Sequence, residues 1–274
     1  MEWNKNVLTI EEVYTESKTG SREKNEDAVY YNADFIAVID GATSKTEAEL
    51  DGKTGGQLCA RQIVNTIRNL KGDITGPEAV RQIWLDLKEM ENRYRLEEKG
   101  IHSCASAVIF SCFRKEIWLV GDCRYMINGK EYSGIKQIDR ILSEARAAAV
   151  HMLLGKGITE EQLMEHDLSR EMILPLLREQ KYLENSTEPY GYSVFNGHTE
   201  PADLIIRKVP DKSSIVLASD GYPVLKETLA ESERELSEIL KKDPLCYKEY
   251  CSTKGLKKGN VSFDDRSYIR FSLK

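Results

Sequence analysis

Three observations predict an α+β fold with mainly antiparallel sheets. Strands and helices come in runs instead of alternating strictly. Three strands are near-continuous apolar runs that each end on an aspartate. The composition, 41% hydrophobic and 31% charged with only 7 Pro, has no low-complexity stretch and suits a chain packed throughout. At 274 residues the length allows one elaborated domain, and the chain is read as a single domain over 1–274. A β-sandwich core flanked by helical pairs accommodates this order.

Taken in turn, residues 7–14, 28–31 and 35–39 are rich in Val, Ile, Tyr and Phe and are separated by polar turns, as strands entering a sheet. Ser44 and Glu47 have capping-box spacing, and Ala60, Ile63, Val64, Ile67 and Leu70 recur at helical period, so a helix is expected over about 50–70. After a break at 72–77, Val80, Ile83, Trp84, Leu87 and Tyr94 repeat the pattern up to Gly100. Strands are expected again at 105–110, 117–120 and 124–127, with hairpin-length turns. A helical block interrupts them over about 136–183, with Thr159 and Gln162 capping its second helix. Strands at 204–209 and 214–218, a helix holding Leu236, Ile239 and Leu240, and a last strand at 267–273 complete the chain. No internal repeat is present.

A net charge of −6 disfavours nucleic acid and anionic membrane as partners, because both need clustered Lys and Arg to replace counterions. The opening residues hold no apolar run of signal-peptide length, and no segment approaches the roughly 20 apolar residues of a membrane span. A cytoplasmic protein is expected. The six cysteines form no C-x-x-C pair and have no adjacent His to complete a zinc site, so they are read mostly as small buried hydrophobes. The four histidines share no useful spacing and are read as surface or satisfied residues. Ser219 lacks the flanking pattern of a nucleophile elbow and is assigned a structural part.

The chemistry concentrates at strand ends. Residues 35–39 run into Asp40-Gly41, residues 117–120 into Gly121-Asp122, and residues 215–218 into Ser219-Asp220-Gly221. Strands buried on both faces place such acids at the rim of the core, where several rims can converge. Each segment alone also describes an ordinary turn. Converging carboxylates raise one another's pKa unless a cation intervenes, and oxygen-only donors select a hard cation, magnesium or manganese. The glycines after Asp40 and Asp220 let backbone come close, which would put the Gly41 carbonyl on the same ion. Arg22 stands near Glu26 and Asp27, and Asp264-Asp265 precede the last strand. An arginine fork beside such acids suits phosphate oxygens.

In this order the motifs resemble the metal-dependent protein phosphatase family, the type 2C-like serine/threonine phosphatases. They are Gly20-x-Arg22 with Asn25-Glu26-Asp27, Asp40-Gly41, Val120-Gly121-Asp122-x-Arg124, Ala218-Ser219-Asp220-Gly221, and Asp264. The resemblance spans about 7–273. It implies a four-layer αββα sandwich, a helical flap at 136–183 beside the cleft, and a phosphorylated protein as substrate, with a monomer favoured. It also implies two Mg2+ or Mn2+ ions. Asp40 would bridge both, Asp220 and Asp264 would complete one site, Glu26 and the Gly41 carbonyl the other, with Asp27 beside them. Arg22 would bind the substrate phosphate, and a metal-bridging hydroxide would attack phosphorus in line, without a phosphoenzyme. Asp122 matches a residue linked to a third ion, but Val224 stands where its partner acid is expected, so a third ion is not expected. Ala42 follows Asp40-Gly41 where many members have His or Met, which keeps open a degenerate member that binds phosphoprotein without turnover.

Overall fold

The computed structural model describes residues 8–134 and 136–274; the first residue of the first expected strand, Val7, lies outside them. The strands are β1 (Leu8–Glu16), β2 (Ala28–Tyr31), β3 (Phe35–Gly41), β4 (Cys104–Ser111), β5 (Glu116–Val120), β6 (Arg124–Ile127), β7 (Lys130–Ser133), β8 (Phe195–Asn196), β9 (Ile205–Lys208), β10 (Ser214–Ala218) and β11 (Arg266–Leu273). The helices are α1 (Gly55–Asn69), α2 (Gly76–Tyr94), α3 (Gln137–Gly155), α4 (Glu160–Glu165), α5 (Leu168–Glu179) and α6 (Leu229–Lys242).

The strands make two antiparallel sheets. One has the order β1-β11-β10-β6-β7, the other β2-β3-β4-β5-β9 with β8 paired to β4. Between them Ile36, Val38, Val108 and Phe110 meet Tyr125, Leu217, Ile269 and Phe271. On the outer face of the second sheet Phe35, Ala37, Ile39 and Trp118 pack under α1 and α2 through Ile63, Ile67, Ile83 and Leu87. Residues 35–39 are therefore buried on both faces, which is why they form an unbroken apolar run. On the outer face of the first sheet Met126, Val216 and Tyr268 meet Leu236 of α6 with Tyr222 and Phe263. The layers are thus α, β, β, α, as expected.

Helix starts follow capping chemistry. Thr54 and Gln57, Thr75 and Glu78, and Thr159 and Gln162 each form a reciprocal capping box, satisfying N–H groups that the first turn leaves free. The first box is not the one expected at Ser44, whose hydroxyl donates to the Thr46 carbonyl at 2.7 Å. Local turn formation competes with capping for such short polar side chains, and α1 begins ten residues later. β7 and β8 were not expected from the sequence.

The block 136–183 folds as α3, α4 and α5 and is stitched to the segment 243–254. Arg146 of α3 is fully buried and donates to Asp167 Oδ2 at 2.8 Å and to the carbonyls of Leu245 at 2.8 Å and Ser252 at 3.2 Å. Asp243 Oδ2 accepts N–H bonds from Tyr247, Lys248 and Glu249 at 2.9, 2.7 and 2.9 Å, closing that segment on itself. Among the described residues no helix is long and apolar enough to cross a membrane.

Candidate metal centre

The antiparallel pairing brings several strand ends to one rim. Asp40 is the penultimate residue of β3, opposite Ser106 of β4. Asp122 sits in the β5–β6 turn, Asp220 two residues beyond β10, and Asp264 two residues before β11. Asp220 N–H donates to Asp40 Oδ2 at 3.4 Å. These four acids line one cleft of about 140 Å3 together with Lys45, Lys136, Arg170, Lys254 and a fifth acid, Asp139, which pairs with Lys136 at 2.7 Å. Close backbone approach holds the rim: Gly41 has no room for a Cβ against the carbonyls of Glu26 and Gly56, nor has Gly221 against that of Asp265.

Not all the sequence-predicted residues face this cleft in the same way. Asp264 lines it, whereas Asp265 turns away and accepts N–H bonds from Lys18 and Glu26, both at 2.8 Å. Glu26 is buried behind the rim and is already engaged by Lys18 Nζ at 2.9 Å, Thr54 Oγ1 at 2.7 Å and the Ser44 N–H at 3.4 Å. Asp27 is half-buried beside the hydroxyls of Ser219 and Ser267, while its Oδ2 is buried with no hydrogen-bond partner among the described residues. Ser219 also accepts the Ser267 N–H at 2.8 Å, the structural part expected of it. Arg22 is exposed on a short 3-10 turn, Arg22–Lys24, and is absent from the cleft lining.

The electrostatics divide these acids. Burial, then the charges of Asp220 and Asp27, push the Asp40 carboxyl well above the usual carboxylate range. Burial and the charges of Asp264 and Asp122 push Asp220 up to about 7. Among the described residues neither of the two has an ion pair within 4.0 Å. Asp122 behaves differently. Burial pushes it up too, but Lys136 at 3.6 Å and the Ser106 hydroxyl at 2.5 Å outweigh that and hold it below its ordinary value.

Lysines supply the counter-charge. Lys18 Nζ touches Glu26, Thr43 Oγ1 at 3.1 Å and Asp265 at 3.6 Å; burial lowers its pKa, but Asp264, Glu26 and Asp265 more than reverse that. Lys254 Nζ bonds Asp264 Oδ1 at 2.5 Å and Thr43 Oγ1 at 2.9 Å. Lys45 lies on the cleft with no ion pair of its own among the described residues, and burial and the neighbouring Lys136 charge lower its pKa. The sequence reasoning missed all of these cations. They arrive from four separate stretches of chain, and no local spacing marks them.

Oxygen donors alone, two of them with no ion pair among the described residues and with pKa values raised by burial and by one another's charge, fit a hard divalent ion at Asp40 and Asp220. The fit is looser toward Glu26 and Asp264, whose carboxylates the two lysines have drawn into ion pairs. Among the described residues the one set of three metal-binding side chains with ligand atoms within 4.8 Å of one another lies elsewhere, at His102, Cys104 and Glu184.

No family model matches the sequence, and no curated protein matches it. Solved structures do match over nearly the whole chain. The catalytic domain of the serine threonine protein phosphatase PstP, in complex with two manganese ions, is 17% identical and covers 97% of this chain and 98% of its own, with a TM-score of 0.51. The PPM Ser-Thr phosphatase MsPP from Mycobacterium smegmatis, in complex with cacodylate, is 15% identical over 98% of this chain and 100% of its own, at 0.52. PppA, a regulatory component of T6SS in Pseudomonas aeruginosa, is 15% identical over 97% and 98%, at 0.50. The architecture is that of the metal-dependent, type 2C-like serine/threonine phosphatases. At these identities the likeness is one of fold.

Proposed function

We propose that the chain is a metal-dependent phosphatase that hydrolyses phosphoserine or phosphothreonine in a protein substrate. The observation that carries this reading is the meeting of Asp40 and Asp220, half-buried acids with no ion pair among the described residues, on a cleft that Lys45, Lys136, Arg170 and Lys254 also line. Mg2+ or Mn2+, two ions in all, would be held by Asp40 between Asp220 and Asp264 on one side and Glu26 and the Gly41 carbonyl on the other, with Asp27 behind. When bound there, the ions would acidify water and polarise the phosphoryl group. The chain's own residues do the remaining work. Lys45, Lys136 and Arg170 line the same cleft as the acids and would grip a dianionic phosphate, while the Ser106 hydroxyl and Lys136 keep Asp122 ionised. Arg22, exposed beyond the rim, would meet the substrate only as it enters.

Hydrolysis of p-nitrophenyl phosphate and of a phosphothreonine peptide, with manganese, with chelator, and with Asp40→Asn, tests this. Manganese-dependent turnover lost in the variant is expected; none above that of the variant overturns it. A second reading, a member that binds phosphoprotein without turnover, is favoured by one feature, the ion pairs of Lys18 with Glu26 and Lys254 with Asp264. Phosphopeptide binding with no turnover at saturating manganese identifies it.

A further inference from the structure

We infer that His102, Cys104 and Glu184 form a separate site for one zinc-like cation, which would clamp the end of the helical block to the start of β4. His102 Nε2 lies 2.7 Å from Glu184 Oε1, and the Cys104 thiol completes a set of three ligand atoms all within 4.8 Å of one another. Tetrahedral zinc with bonds of about 2.0–2.3 Å to N, O and S sets its ligands roughly 3.4–3.7 Å apart. The His–Glu pair must therefore open by under about 1 Å and the most distant contact close by about as much, within the range of side-chain rotation.

Charge and access agree with the geometry. A carboxylate, a thiolate and a neutral imidazole sum to the charge that cancels a divalent cation, which a buried site requires. The Cys104 and Glu184 side chains are buried, whereas the His102 side chain is 31% exposed and opens on a cleft of about 380 Å3. The cleft leaves room for a fourth ligand such as water, and the His198 imidazole lies parallel to that of His102 with centroids 6.4 Å apart. Glu184 is fixed from its other oxygen by Asn196 Nδ2 at 2.7 Å, the kind of outer contact that orients a metal ligand. A mixed N, S, O donor set selects zinc or cobalt over the hard ions suited to the aspartate cleft.

The consequence is mechanical. Glu184 directly follows the 3-10 turn Gln180–Leu183 that ends the helical block. Cys104 opens β4, accepts the Ala42 N–H at 2.9 Å and touches the aspartate cleft. A cation here would tie the block to the strand that supports Asp40.

Cobalt titration of the whole chain is the test, because a thiolate–cobalt charge-transfer band reports this site and not an all-oxygen one. We expect the band to saturate at one equivalent, to vanish in Cys104→Ser, and to need at least about tenfold more cobalt in Glu184→Gln and His102→Gln. Zinc should raise the melting temperature of the native chain and not that of Cys104→Ser, whose metal-free melting should match the native one. Absence of the band, or a band that survives Cys104→Ser, overturns the inference. The outcome does not depend on phosphatase activity.

Discussion

Lys45 and Arg22 compete for the same task, gripping phosphate, and the structure separates them by position. Lys45 lies on the cleft beside Lys136 and Arg170, while Arg22 stands exposed on its turn. A charged hydrogen bond is worth about 1.5–3 kcal/mol, so Lys45→Met should raise KM for a phosphopeptide roughly 10- to 100-fold with metal affinity unchanged. Arg22→Ala should change KM by less than about threefold. Steady-state kinetics on the pair decide; the reverse ranking returns the phosphate to Arg22. Lys18 poses a related question, since its ammonium rests 2.9 Å from Glu26, where a second ion needs that oxygen. Lys18→Ala should tighten the weaker manganese site about tenfold by calorimetry, equivalent to about 1.4 kcal/mol. An unchanged or weakened second site would mean that Lys18 supports the site and does not compete for it.

At the scale of elements, the buried pair of Arg146 and Asp167 joins α3 to the start of α5. Burial raises the Asp167 pKa, but Arg146, the Ser169 hydroxyl and the Arg170 N–H outweigh it and hold the carboxyl below its usual range. A folded pKa below the unfolded value of about 3.9 stabilises the protein above that pH, and the contribution is lost as pH falls through the folded value. Asp167→Asn leaves Arg146 buried and unpaired and should cost about 3 kcal/mol at pH 7. The gap to the native chain should narrow below about pH 4, which denaturant melts over a pH series would show. A gap independent of pH would mean that packing, not charge, holds the block. What the sequence made legible follows the same physics. β3, β5 and β10 announced themselves because burial on both faces leaves apolar runs. β7 was hidden because Lys130–Ser133 is an edge strand with little buried surface, and β8 because two residues carry no period. The helical block was legible as helix, but Arg146 reaching the carbonyls of 245 and 252 is tertiary and leaves no local pattern. Asp40 and Asp220 were readable from strand and glycine, whereas His102 and Cys104 were not read as a metal pair, because Glu184, which joins them, is 82 positions from His102.

For the molecule as a whole, metal and stability are coupled through the acids at the rim. In the metal-free chain Asp40 and Asp220 hold protons to higher pH than they do unfolded, Asp220 up to about 7. Between the unfolded value near 3.9 and that folded value the native state binds more protons than the unfolded one, so its stability falls as pH rises. The chelated protein should therefore melt at progressively lower temperature from pH 5 to pH 8, and Asp220→Asn, free of that charge, should melt above the native chain at pH 8. Manganese must displace the same protons, which makes its affinity rise with pH and its binding release protons. Calorimetry in buffers of different ionisation enthalpy should count more protons released at pH 6 than at pH 8. Equal release at both, with a melting temperature indifferent to pH and to chelator, would mean that the strand-end aspartates neither share protons nor hold an ion.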